Sequence, residues 1–124
     1  MRFEESKIGD VLVAKVLENR IAVDVASRFK QDLIEYATKG NRIIVLDLSE
    51  VTFIDSSGLG ALIGSLKFIG DDGEIVLCGV RDAVASMLKL TRMNKIFRIF
   101  LSPEDAVHAL SYSTASSARP TVSL

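Results

Sequence analysis

An α/β fold with a mixed sheet is predicted by three features of this 124-residue sequence. Short apolar runs of strand length alternate with stretches whose apolar residues recur at helical spacing. The first two runs are separated only by "IGD", a turn that marks a hairpin and so an antiparallel pair. Every later run is separated from the next by a helical stretch, as crossovers between parallel strands require. The order along the chain reads β-β-α-β-α-β-α-β-α.

Each element has its own local reason. "RFEESK" and "VLVAKVL" form the hairpin strands, the second being the richer in Val and Leu. In "DVASRFKQDLIEYATKG", Val25, Ala26, Phe29, Leu33, Ile34 and Ala37 fall on one helical face. Asp24 is placed to cap that helix and Gly40 to end it. "RIIVLDL", from Arg42 to Leu48, is almost continuously apolar, as suits a strand covered on both faces. "VTFIDSSGLGALIGSLKFIG" follows; Leu59, Leu62, Ile63, Leu66 and Ile69 mark a helix that stops at Gly70. Asp71 and Asp72 make a turn before the strand "EIVLCGV". Asp82 is placed to cap the next helix, whose inner face carries Val84, Met87, Leu88 and Thr91. "IFRIF" is a short strand. In "SPEDAVHAL", Ser102 caps, Pro103 takes the first helical position and Asp105 stands near a capping-box position. The division is one domain over residues 1–110, with 111–124, rich in Ser and Thr, expected as a frayed or disordered tail.

Composition excludes several classes. A chain of this length buries roughly two-thirds of its unfolded surface and needs no staples. Fifteen Lys and Arg against 16 Asp and Glu leave a net charge of −1, without a general pull toward nucleic acid or anionic lipid. Cys78 is the single cysteine, set in an apolar run, and reads as a small core residue. There is no leading apolar segment and no run long enough for a membrane helix. These features fit a soluble protein of a reducing compartment, the cytoplasm.

The start of the second helix is where chemistry gathers. A serine hydrolase is disfavoured: no glycine lies two positions before Ser56 or Ser57, and His108 is the only histidine. "GLGALIG" is one residue longer than the dinucleotide fingerprint, and no acidic residue closes the following strand. A phosphate loop lacks its Gly-Lys-Ser/Thr, and one His and one Cys far apart make no metal site. No cofactor is expected. Asp55 remains as an N-cap, with Ser56 and Ser57 in the first turn. A phosphate on a hydroxyl there meets free N–H groups and the positive end of the helix dipole. It adds roughly −1.5 to −2 charges without unfolding the domain. Nucleotide binding at the same helix start is a weaker reading, because the phosphate-loop lysine is missing. Gly64 suits close helix packing, whereas Gly58 and Gly60 lie near the serines, where a smooth docking surface is expected.

"VTFIDSSGLGALIGSLKFI" resembles the phosphorylation segment of anti-sigma factor antagonists, the bacterial STAS domains, and "LKLTRMNKIFRIFLSPEDAVHAL" resembles their closing part. The resemblance runs from the first strands to Leu110. It implies a STAS-like mixed sheet of four or five strands with helices packed mainly on one side. It also implies partner switching in stress response and transcription. A GHKL-type anti-sigma factor kinase phosphorylates a serine, here Ser56. The unphosphorylated form binds that kinase and frees a sigma factor, the phosphorylated form does not, and a PP2C-type phosphatase resets it. The antagonist itself catalyses nothing. The implied partner-binding surface comprises Asp24, Asp55, Ser56, Ser57, Gly58, Leu59 and Gly60. Family members often carry G-x-L-D before the first helix; here that stretch is Asn19-Arg20-Ile21-Ala22, and Asp24 either takes the role of its Asp or only caps the helix. A non-switching STAS subunit of a stress-signalling or transporter complex is the alternative.

Overall fold

The hairpin forms first along the chain: β1 (Phe3–Ile8) pairs antiparallel with β2 (Val11–Val16), Ile8 opposite Val11. Gly9 supplies the positive φ, 60°, that so short a turn needs. The structure is a computed structural model describing residues 1–116, with side-chain surroundings through Leu110. The remaining elements are β3 (Arg20–Ile21), α1 (Val23–Thr38), β4 (Ile43–Asp47), β5 (Phe53–Ile54), α2 (Ser56–Ile69), β6 (Glu74–Cys78), α3 (Asp82–Leu90), β7 (Ile99–Phe100) and α4 (Pro103–Ser116).

The main sheet has the order β1-β2-β4-β6-β7. Only its β1–β2 pair is antiparallel; β2–β4, β4–β6 and β6–β7 are parallel. This is the mixed α/β architecture expected from the sequence, a five-stranded mixed sheet with four helices.

The continuous apolar runs have a direct cause. Leu12, Ala14 and Val16 of β2, Ile44 and Leu46 of β4, and Ile75 and Leu77 of β6 face one core, built with Phe29 and Leu33 of α1, Leu62 of α2 and Leu88 of α3. Their alternates Val11, Val13, Val45, Val76 and Cys78 face a second core closed by Ala106 and Leu110 of α4. Strands covered on both sides cannot alternate polar and apolar residues. Three helices therefore pack on one face and α4 alone on the other.

Several local expectations change. Asp24 is not the cap of α1: Ala22 holds that position, with φ −126° and ψ −174°, and makes no side-chain cap bond. Its carbonyl accepts from Val25 N and Ala26 N at 2.9 Å, which starts the helix ahead of Asp24. Asp82 is likewise the first helical residue of α3 rather than its cap; Arg81 precedes it and donates from Nε to Ser49 O at 2.7 Å. "IFRIF" contributes only Ile99–Phe100 as strand. A 3-10 turn, Met93–Lys95, leads into it with Ile96 as its C-cap, and Phe97 sinks into the core. Ser102 does cap α4, accepting from Asp105 N at 3.1 Å. That helix runs to Ser116, into the segment expected as a tail; residues 117–124 of that segment lie outside the described residues.

Candidate functional site

Two short strands missed by the sequence reading position the site. β3 and β5 pair parallel, Arg20 opposite Phe53 and Ile21 opposite Ile54. Two residues each gave too little pattern to read. The pair is extended by Thr52 N, which donates to Asn19 O at 2.8 Å, and by Asp55 N, which donates to Ile21 O at 3.3 Å. It brings the starts of α1 and α2 side by side.

Asp55 joins those two starts. Its backbone is extended, as an N-cap requires, and its Oδ1 accepts from Gly58 N at 3.0 Å. Its Oδ2 accepts from Val23 N, the first residue of α1, at 3.1 Å. One carboxylate thus satisfies an orphan donor at each of two helix N-termini. The expected cap of α2 is present; its second task, across 32 residues of chain, is what local spacing could not reveal.

Ser56 is the first residue of α2 and is exposed, whereas Ser57 is half-buried. Their N–H groups belong to the first turn, where no helical carbonyl lies upstream to accept them. The Ser56 hydroxyl therefore stands in solvent at the positive ends of two helix dipoles. The negative charge of Asp55 is already held by two N–H groups.

The glycines divide differently from expectation. Gly58 is buried: a Cβ there would fall on Ile21 O and stand 2.7 Å from Ile54 Cγ1. It is the close crossing of α2 over the β3–β5 pair, so it presents no docking surface. Leu59, 2% exposed, is likewise core and not surface. Gly60 is exposed with open space around it, and Gly64 lies under the stem of Lys30, whose Cε is 2.7 Å from a built Cβ. Of the residues expected to meet a partner, Asp24, Ser56 and Gly60 are exposed and Asp55 and Ser57 half-buried. Sequence reasoning missed Val23, which is 74% exposed, and Phe53, exposed beneath the Arg20 guanidinium at 5.4 Å. Phe53 lies in "VTFI", too short an apolar stretch to show which face its aromatic takes.

His108 lies exposed on α4, across the sheet from Ser56, so the two form no catalytic pair. Burial and the neighbouring Asp47 carboxylate push the Cys78 thiol up to about 12, consistent with an inert core residue. Among the described residues no helix is long and apolar enough to cross a membrane.

The arrangement is a mixed five-stranded sheet with an exposed serine beside a carboxylate shared by two helix starts. The STAS domain family model matches residues 7–106, and the chain belongs to that family. Within it the chain falls among the anti-sigma factor antagonists, which are regulators and not enzymes. It is 31% identical to the anti-sigma-B factor antagonist of Listeria monocytogenes over 91 residues, 73% of this chain and 76% of that protein. It is 29% identical to the anti-sigma-B factor antagonist of Staphylococcus aureus over 102 residues, 79% of this chain and 83% of that one. In three dimensions it resembles a Thermotoga maritima protein classed as an anti-sigma factor antagonist, with a TM-score of 0.78 and 28% identity, covering 86% of this chain and 92% of the other.

Proposed function

We propose that this protein is a phosphorylation-controlled antagonist acting in the cytoplasm, with Ser56 as its switch. Unphosphorylated, it docks on a GHKL-type anti-sigma factor kinase and frees a sigma factor. Phosphorylation of Ser56 by that kinase ends the docking, and a PP2C-type phosphatase restores it.

The observation that carries this reading is the exposed Ser56 hydroxyl beside an Asp55 whose oxygens are both occupied. A phosphate there meets the free N–H groups of the first turn, so the fold tolerates it. Docking does not tolerate it. Val23, whose N–H bonds Asp55, and Phe53, three residues before Ser56, are both exposed and form the apolar part of the contact. Asp24, Ser57 and Gly60 complete it. Closing a partner over these residues would strip water from a dianion, a penalty of several kcal/mol unless cations are supplied.

Incubation with a GHKL-type anti-sigma kinase from the same organism and ATP should add one phosphate, located on Ser56 by mass spectrometry. Ser56→Ala should bind the kinase constitutively and Ser56→Glu poorly. A phosphate on another residue, or equal affinities for the two variants, would refute the switch.

A further inference from the structure

Among the described residues the sheet ends at β7, and this edge carries features that the Ser56 site does not use. Leu77 N donates to Arg98 O at 2.9 Å and Gly79 N to Phe100 O at 3.2 Å, so those residues face β6. By the alternation of a strand, the peptide groups of Ile99 and the N–H of Leu101 point to the open side. Along this edge lie exposed apolar side chains, including Leu101 at 88% and Leu90 at 79% exposure, with Ile96 and Ile99 between them. Shallow hollows of about 740, 520 and 360 Å³ share Asn94 in their walls and together form a grooved surface from the end of α3 along β7. None of the residues lining it belongs to the Ser56 site.

The groove is also one-signed. Lys89, Arg92 and Lys95 line it and are exposed. Among the described residues none of the three stands within ion-pair range of a carboxylate. Arg98 is different: Glu74 takes both its Nε and Nη2, at 2.7 and 2.9 Å. Arg92 has φ 62°, a left-handed conformation that glycine or asparagine fills more easily.

We infer that this edge is a second docking site, which takes an extended acidic segment of a partner protein as an added strand. Main-chain bonds to Ile99 and Leu101 hold its backbone, apolar side chains on the segment cover Ile96, Ile99 and Leu101, and its carboxylates meet Lys89, Arg92 and Lys95. A concave groove beside an open strand edge fits a peptide backbone better than a flat lipid surface. The site is independent of Ser56, so it can hold a partner in either state of the switch.

The probe is a fluorescein-labelled peptide of alternating glutamate and valine, titrated with the full chain and read by fluorescence anisotropy. Binding should saturate and weaken with salt. Lys89→Glu with Lys95→Glu should reduce affinity at least tenfold, as should N-methylation of alternate peptide amides. Ser56→Glu should leave it unchanged, which separates this outcome from failure of the switch. Amide shifts of Ile99 and Leu101 in 15N–1H spectra should locate the contact, and unaltered thermal unfolding should show that the double variant folds. No saturable binding, equal affinity for the charge-reversed protein, or indifference to N-methylation would overturn the inference. So would phosphatidylglycerol vesicles that sediment the protein and displace the peptide, since the patch would then be a membrane contact.

Discussion

Replacing Gly58 and Gly60 in turn with alanine makes the same chemical change at two neighbouring positions of α2 and should have opposite signs. Alanine favours a helix over glycine by up to about 1 kcal/mol, so propensity alone stabilises both variants. At Gly60 nothing lies within 4 Å of the added methyl, and that gain should appear nearly whole, about 0.5–1 kcal/mol. At Gly58 the methyl meets Ile21 O, with Ile54 Cγ1 at 2.7 Å and Ile21 Cγ2 at 3.0 Å. The first of these is backbone and cannot rotate away. Lifting α2 to make room also strains the bond from Asp55 N to Ile21 O, already 3.3 Å long. Overpacking of this kind costs about 1–3 kcal/mol, leaving Gly58→Ala destabilised by about 1–2 kcal/mol. The two variants should differ by about 2–3 kcal/mol. Urea unfolding followed by circular dichroism reads this directly: with slopes of about 1–3 kcal/mol/M, the midpoints should separate by roughly 1–2 M. Coincident midpoints, or a more stable Gly58→Ala, would refute the assignment of Gly58 to close packing and Gly60 to open surface.

Further outcomes follow from the same geometry. Asp55→Ala should lose about 2–3 kcal/mol of stability by denaturant titration, because it removes a helix cap and a second, charge-assisted bond to Val23 N. Asp55→Asn should lose about half as much, since one oxygen remains an acceptor. The Cys78 thiol should resist a disulfide reagent at pH 8 in the native protein and react at once in denaturant. Its folded pKa is raised from 9.0 to about 12, so its contribution is intact below pH 9 and falls as pH rises through that window. Cys78→Ala should flatten the alkaline loss of stability over the same range. Arg92→Gly should raise stability by up to about 1 kcal/mol by relieving the left-handed strain at φ 62°, while weakening capture of the acidic peptide.

The limits of sequence reading show in particular elements. The Ser102–Pro103–Asp105 start of α4 was legible because a capping oxygen and its N–H lie three residues apart. β7 was overestimated because alternation in "IFRIF" satisfies a strand and a turn-plus-strand equally; the left-handed Arg92 and the burial of Phe97 decide between them. At the site, Ser56 and the cap bond of Asp55 were visible locally. The burial of Gly58 and Leu59 was not, because it depends on the β3–β5 pair crossing beneath them.

The order of the five main-sheet strands and the four helices, the doubled apolar character of β2, β4 and β6, and the place of Ser56 at a helix start were determined by the sequence alone. They rest on spacings and contacts within a few residues. The sheet order, the sharing of Asp55 between two helix ends, and which residues around Ser56 meet solvent were decided by the tertiary structure. A carboxylate has two oxygens, and local pattern says where only the first one goes; the second finds its donor when folding brings a distant helix beside it.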